Sequence, residues 1–266
     1  MPPAVRQALA VAREKTFRLI GEGTGLAEDT DRFDLFYDHL IAIDSRAGAI
    51  VGAYRLGRID QILPEQGLNG SYLNNFYDLR RLYGQIGPHS LELGRSFVDR
   101  DAGASAIVAL DLLWRGLAHF ISLHPQYSKL AGSVSISNAY SETSILLMLE
   151  YFKRHLDPGM ALMAATKSPS TIQHPLAQTI SSVAESIRTT AELNSAVRLI
   201  DQKSIPSLLI SYAKLGARYV AFAADAQFNC VDSLIVVDLL SPGAASEGRK
   251  FFGDEAWASY LQAWGR

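Results

Sequence analysis

The sequence predicts an α/β fold of the α+β type: one mixed, mostly antiparallel sheet flanked by helices, with a helical insertion at about residues 157–205. Three observations predict it. The stretch Leu91–Ile121, LELGRSFVDRDAGASAIVALDLLWRGLAHFI, runs strand, glycine-containing turn, amphipathic helix. Around it the patterns follow the order helix, hairpin, strand, turn, helix, strand, helix, insertion, helix, strand, strand, which suits one sheet covered on both faces. No internal repeat and no rich linker divides the chain, so residues 1–266 read as a single domain.

Residues 4–20 set Val5, Leu9, Ala12, Thr16 and Ile20 near one side of a first helix. The loop GEGTGLAEDTDRFD is glycine-rich and acidic but lacks the Gly-Lys-Ser/Thr ending of a P-loop. His39–Asp44 and Ile50–Leu56 form a hairpin about the turn Ser45–Gly48. Residues 57–90 are aromatic and turn-rich, and are expected to be a long irregular connection. In the central unit the strand carries Glu92 and Arg95 and the turn runs Arg100–Ser105. The helix then repeats Ile107, Leu110, Trp114, Leu117 and Ile121 on one face, with Asp111 and Arg115 as an exposed i,i+4 pair. Leu130–Ser137 alternates as a strand does. Tyr140–His155 is a helix with Ile145, Met148, Leu149 and Phe152 inward. Lys153, Arg154 and His155 suit its C-terminal dipole, and Asp157-Pro-Gly159 stops it. Leu176, Ile180, Val183, Ile187, Val197 and Ile200 mark the helical pattern of the insertion. Ser207–Leu215 is a short helix ending at Gly216, and Ala217–Ala223 and Leu234–Leu240 are closing strands. Phe251, Phe252, Trp257, Tyr260 and Trp264 pack the tail on the body.

Composition narrows the function classes. Hydrophobic residues are 48% and charged residues 20%, ordinary for a globular chain with a large core. The net charge of -2 gives no reason to expect nucleic-acid binding. The single cysteine, Cys230, excludes an internal disulfide framework and a multi-cysteine zinc site, and favours a reducing compartment. The N-terminus does not read as a signal peptide, and Asp111, Arg115 and Asp238 interrupt the most apolar windows, so no membrane-spanning helix is expected. The turn before the long helix offers free backbone N–H groups, an anion site. With a carboxylate and a guanidinium just upstream, it points to transfer chemistry on a phosphate-bearing carrier.

Strand, Arg100-x-x-Gly103-x-Ser105 turn, helix, strand, then Asn138 and Tyr140 opening a helix, resembles the GNAT acyltransferase fold. Further segments resemble a GNAT branch of long-chain N-acyltransferases. That branch holds the ornithine-lipid and amino-acid-lipid synthases, the N-acyl amino acid synthases and, more distantly, the acyl-homoserine-lactone synthases. The matching segments are Thr16-Phe-Arg18 with GEGTG, Asp31-Arg-Phe-Asp34, His39-Leu, Ile50–Leu56, Glu92–Val98, Leu113–Gly116, Ser133–Asn138, Leu215-Gly-Ala and Asp232–Asp238. Ser105 departs from the usual last Gly or Ala of the turn. The resemblance covers nearly the whole chain and is similar to the GNAT part of bifunctional proteins, without their His-x4-Asp O-acyltransferase.

The resemblance implies transfer of a long or 3-hydroxylated acyl group from acyl carrier protein to the amine of an amino acid, giving a lyso-aminolipid such as lyso-ornithine lipid. Glu92 is then a base or amine-orienting carboxylate; otherwise it pairs with Arg95 to hold the sheet. Arg95 in turn could clamp an acidic partner. Asp31 and Asp34 suit the ammonium of the acceptor, or are solvated loop and cap residues. His39 is a base candidate near neutral pH or a structural histidine. Arg55 could hold the amino acid carboxylate, or be a surface strand arginine. The backbone of Phe97 and Val98, then Arg100, Gly103, Ala104 and Ser105, would cradle the phosphate of the carrier arm. Asn138 would bind the pantetheine arm and Tyr140 would protonate the thiolate; both could instead cap a helix or fill a gap.

No metal is expected, since His89, His119, His124, His155 and His174 lack ligand spacing. Cys230 reads as a late-loop residue without an activating partner, so direct attack on the thioester is expected rather than an acyl-cysteine. No cofactor is expected to be tightly bound; the acyl-phosphopantetheine of acyl carrier protein, or acyl-CoA, is a co-substrate. Expected partners are acyl carrier protein, docking on Arg95, Arg100, Arg115 and Lys129, the amino acid, and a separate O-acyltransferase. The expected place is the bacterial cytoplasm, with peripheral contact at the inner membrane. Two other readings stand beside this one: an acetyl-CoA-dependent N-acetyltransferase, and a non-catalytic acyl-binding module.

Overall fold

The computed structural model describes residues 1–170 and 172–266, and of Ile107 the backbone alone. The Ile107 side chain of the predicted stripe therefore lies outside the described residues.

Helix α1 spans Pro3–Arg18, with proline tolerated in its first turn. Strands β1, Asp38–Asp44, and β2, Ala49–Arg58, form the expected antiparallel hairpin. Between β2 and the central strand the chain is more regular than expected. It holds α2, Ile59–Gln66, β3, Tyr77–Asp78, and α3, Arg80–Ile86. Pro64 inside α2 and the glycines around it mask that helical pattern in sequence. Then come β4, Ser90–Val98, α4, Ala104–Leu123, β5, Lys129–Ser137, and α5, Glu142–Lys153, whose N-cap Ser141 accepts from the Ser144 N–H. The insertion contains α6, Pro158–Ala161, β6, Ala165–Thr166, α7, Ala177–Ser186, and α8, Thr190–Asp201. Helix α9, Ser207–Lys214, leads into β7, Arg218–Asp225, and β8, Cys230–Asp238. Cys230 thus opens a strand and is not in a loop. The tail forms α10, Ala245–Phe252, and α11, Asp254–Ala263.

The main sheet has six strands in the order β1-β2-β4-β5-β8-β7; β3 and β6 pair separately. Every adjacent pair in the main sheet is antiparallel except β4 with β5. Side-chain alternation divides its residues between two faces. On one face Tyr54, Leu56, Leu91, Leu93, Leu130 and Ile136 join Leu113, Trp114, Leu117 and Ile121 of α4 and the inner side of α5. On the other face Ala131, Leu234 and Val236 join Ile59, Ile62, Leu73, Leu82 and Tyr83.

Helix α4 is, among the described residues, long and apolar enough to cross a membrane by length and composition, despite Asp111 and Arg115. Its inner residues Leu113, Trp114, Leu117 and Ile121 are buried in the main core, whereas Val108 and Leu112 are exposed. The Asp111–Arg115 pair forms as expected, at 2.7 Å.

Candidate functional site

The sheet is forked at its centre. β4 and β5 run parallel and pair only from Ser90 with Lys129 to Leu93 with Gly132. Beyond that point β4 stays with β2 and β5 stays with β8, so two strand edges face each other without a shared ladder. Gly132 sits where they last touch: a Cβ there would lie 2.7 Å from the Leu93 carbonyl oxygen. On β4 the register with β2 slips between Ala53 and Arg55, and Arg95 takes φ +48°. A bulge with a non-glycine residue in left-handed space is costly, and such features concentrate at functional sites.

The fork holds a cavity of about 60 Å³, bordered by Glu22, Arg95, Ser135, Asp225, Cys230 and Asp232. Glu22 reaches it from the turn after α1, between Gly21 at φ +79° and Gly23 at φ +105°. At Gly21 a Cβ would also lie 2.7 Å from that of Ala139, so the turn needs glycine there twice over. Asp225 ends β7, and Asp232 stands on β8 one inward position beyond Cys230.

All three carboxylates are buried and thinly hydrogen-bonded. Glu22 accepts from the Ser135 hydroxyl at 2.9 Å. Asp225 accepts from the Phe228 N–H at 2.9 Å and from the Tyr72 hydroxyl at 3.5 Å. Asp232 meets only the Cys230 thiol, at 4.0 Å. Burial, reinforced by Asp232 and Asp225, pushes Glu22 up to about 8 against the pull of the Ser135 hydrogen bond. Burial and the neighbouring Asp225 charge push Asp232 up to about 7, with Arg95 pulling the other way. Burial and the same carboxylates push the Cys230 thiol far up, which keeps it protonated and poorly nucleophilic. Ligand atoms of Asp225, Cys230 and Asp232 lie within 4.8 Å of one another, so the set could share a cation. None of these residues was singled out for a role from sequence. The signal was the GEGTG and Asp232–Asp238 segments of the family resemblance, which named no chemistry.

The residues predicted for the acceptor side do converge, but as a closed ion cluster. Asp31 caps a 3-10 turn, Arg32–Leu35, with its side chain accepting from the Phe33 and Asp34 N–H groups. Arg55 Nη1 reaches Asp31 at 2.6 Å and Asp34 at 3.1 Å. Arg13, not picked out from sequence, binds Asp34 at 2.7 Å and contacts Asp29 at 3.4 Å. Arg95 reaches Asp29 at 2.9 Å and Asp31 at 3.5 Å, and so pairs with neither Glu92 nor an outside partner. Three guanidiniums thus meet three carboxylates. The Arg55 guanidinium also lies over the Phe33, Tyr37 and Tyr72 rings, 5.3–5.5 Å from their centroids. Burial alone would raise Asp34, but Arg13 and Arg55 hold its carboxyl well below the usual range. His39 stands 3.9 Å from the Asp34 carboxylate, and burial lowers its pKa, which keeps it neutral.

Glu92 belongs to neither cluster. It is 1% exposed and accepts from the Tyr37 hydroxyl and the Tyr72 N–H at 2.9 Å, the Tyr83 hydroxyl at 2.7 Å, the Leu73 N–H at 3.2 Å and the Ser71 hydroxyl. Five donors occupy its lone pairs, and it does not border the fork cavity. This geometry is that of an anchor tying residues 71–73 to the sheet, not of a base open to substrate.

The predicted phosphate turn closes β4 and opens α4 at Ala104, with Gly103 at φ +57° and no side-chain cap on the first N–H groups. Arg100 is exposed there. The turn is less bare than expected: Asp99 accepts from the Asp101 N–H, and Lys15 reaches Asp99 at 3.3 Å and Asp101 at 3.0 Å. The Ser105 hydroxyl donates to Asp44. Phe97 is buried against Phe17, while Val98 is half-buried at the end of β4. Asn138 is exposed and donates to Asn229 at 3.1 Å, joining β5 to the β7–β8 turn. The Tyr140 hydroxyl donates to the Ser204 carbonyl, and Lys203 lies 5.6 Å from its ring. Neither borders the cavity. Of the four residues expected to form a basic patch, Arg95 is turned into the ion cluster, Lys129 pairs with Asp238 at 2.6 Å, Arg115 pairs with Asp111, and Arg100 is exposed.

Residues 12–115 match the family described as the acetyltransferase (GNAT) domain. A glycine N(alpha)-acyltransferase of Bacteroides thetaiotaomicron is 32% identical over 167 residues, 58% of this chain and 49% of that protein. An L-ornithine N(alpha)-acyltransferase of Brucella abortus is 34% identical over 134 residues, 45% of this chain and 46% of that protein. The chain therefore spans about half the length of the curated relatives it matches. The solved structure of FeeM, an N-acyl amino acid synthase from uncultured soil microbes, overlays with a TM-score of 0.46 at 11% identity, covering 93% of this chain and 95% of that one.

Proposed function

We propose that this chain, whose residues 12–115 match the acetyltransferase (GNAT) domain, is an N-acyltransferase that moves an acyl group from a phosphopantetheine thioester to the amine of an amino acid. The observation that carries the reading is the fork: a cleft in mid-sheet, edged by unpaired β4 backbone and leading to the uncapped start of α4. A thioester arm laid along that edge would find N–H donors for its carbonyl, and its phosphate would meet the helix N-terminus. Fixed donors of this kind stabilise the oxyanion as it forms. The amine attacks directly; Cys230 is buried and protonated, which argues against an acyl-cysteine step.

The fuller form of the proposal is transfer of a long or 3-hydroxylated chain from acyl carrier protein to an amino acid such as ornithine or glycine, the acceptors named for the relatives. The product is a lyso-aminolipid, completed by a separate O-acyltransferase, in the cytoplasm and at the inner face of the membrane. The match of residues 12–115 to a family described as an acetyltransferase domain favours a second reading, transfer of a short acyl group from its coenzyme A thioester. One experiment tests both. The protein is incubated with 3-hydroxyacyl carrier protein or acetyl-CoA and a mixture of amino acids, and the products are identified by mass spectrometry. A long-chain amide supports the first reading and an acetyl amide the second. No new amide from either donor counts against N-acyl transfer.

A further inference from the structure

The Asp29–Asp31–Asp34 group balances its charge with Arg13, Arg55 and Arg95. The Glu22–Asp225–Asp232 group does not. Its nearest guanidinium is Arg95, whose Nε and Nη2 are already directed at Asp29 and Asp31. Asp232 is 6% exposed and meets no N–H or O–H donor, only a thiol at 4.0 Å. On the same cavity wall the Ser133 hydroxyl is buried without a hydrogen-bond partner. Burying carboxylates without counter-charge is costly, and a cation brought into the cavity would remove that cost.

What arrives has a definable chemistry. It is cationic, because three carboxylates border the cavity, Asp232 meets no N–H or O–H donor, and the Arg95 guanidinium on the same wall is directed at Asp29 and Asp31. It is small, because the cavity is about 60 Å³. Mg²⁺ or Ca²⁺ would want six or more oxygens. A primary ammonium has three N–H donors on one atom, and three carboxylates stand round the space. The cavity also opens on the edge of β4, where a thioester carbonyl would lie.

We infer that Glu22, Asp225 and Asp232 form the ammonium pocket of the acceptor, and that Asp232 and Glu22 relay its protons as the amide forms. The inference rests on the N-acyltransferase reading and names the acceptor side of that same site. The ammonium gives one proton to a carboxylate and becomes a nucleophilic amine. Its lone pair attacks the thioester carbonyl, the C–N bond forms and the C–S bond breaks. The second proton ends on the departing sulfur as thiol, and the first leaves through the carboxylate to water. No group outside the two substrates is consumed. The groups facing Asp232 are Glu22, Asp225, Arg95, Tyr72 and Cys230, and the raised affinities of Glu22 and Asp232 for protons suit acceptance near neutral pH.

The test compares the wild-type chain with Asp232→Asn and Glu22→Gln in steady-state acyl transfer at saturating donor. Two acceptors are used: an amino acid, and hydroxylamine, which is largely uncharged near neutral pH. We expect kcat/KM for the amino acid to fall by about 100-fold or more, with the acid limb of its pH profile displaced. Transfer to hydroxylamine, which brings no ammonium proton to be removed, should fall at least tenfold less than transfer to the amino acid. Equal loss with both acceptors, or wild-type KM for the amino acid in both variants, overturns the ammonium assignment. So does activity that EDTA abolishes and a divalent metal restores, which would make the group a metal site. If the wild-type chain acylates neither acceptor, the N-acyltransferase reading falls and the pocket with it.

Discussion

At the scale of single residues, two sets of buried carboxylates behave in opposite ways with pH. Asp34 has a depressed folded pKa, so its contribution to stability is complete above the ordinary carboxylate range and is lost as pH falls through the folded value. Asp34→Asn leaves Arg13 and Arg55 under-compensated and should cost about 3–5 kcal/mol at neutral pH, with a flatter acid limb in urea titrations below about pH 4. Glu22 and Asp232 have raised folded pKa values, near 8 and 7. For an acid this means that stability is complete below the unfolded pKa and drains away as pH rises towards the folded one. The ligand-free protein should therefore lose stability between about pH 4.5 and 8, and Asp232→Asn should recover on the order of 2 kcal/mol at pH 8. Denaturant titration at pH 5 and at pH 8 measures both. Glu92 makes a third case. Glu92→Gln reverses no charge but spoils an acceptor with five donors, so thermal melting should fall and lost activity should follow the unfolded fraction. A well-folded, inactive Glu92→Gln would return Glu92 to the role of base.

At the scale of elements, the fork depends on where β4 and β5 stop pairing. Gly132 fixes that place, because the Leu93 carbonyl approaches to a distance no Cβ tolerates. Gly132→Ala should push the strands apart one pair early and cost about 1–3 kcal/mol, measured by chemical denaturation. The bulge at Arg95 turns a guanidinium from β4 into the ion cluster, so one strained residue links the cavity wall to the Asp29–Asp31 carboxylates. Glu22 shows the same economy. Positive-φ glycines on both sides bend the chain after α1, and the helix end delivers a carboxylate to the sheet.

At the scale of the whole molecule, the tail closes the core on the α4 face. Phe251 stacks on Trp114 with ring centroids 5.5 Å apart, the Tyr260 hydroxyl donates to the Tyr127 carbonyl, and the Trp264 indole donates to the Pro125 carbonyl. Removing residues 242–266 strips several aromatic contacts, each worth about 1.5–3 kcal/mol, which together rival the stability of a domain. Such a truncated chain should show a red-shifted tryptophan emission and no cooperative melting transition.

The sequence alone determined the order of the main-sheet strands and long helices, the mixed sheet and the central strand–turn–helix unit, but not α2, β3 and α3, because hydrophobic period is a local property that burial enforces. Leu113–Ile121 and Leu130–Ser137 are legible in this sense. It also brought out Asp31, Asp34, Arg55 and Arg95, each for a separate role, though not Arg13 and Asp29, which complete their charge balance. Only the tertiary structure showed that five donors enclose Glu92 and that Glu22, Asp225 and Asp232 share one cavity. Those three come from a turn and two strands more than 200 residues apart in the chain at the extremes. Whether a carboxylate is neutralised depends on which charges the fold brings within a few ångströms of it, and pattern along a chain carries no record of that distance.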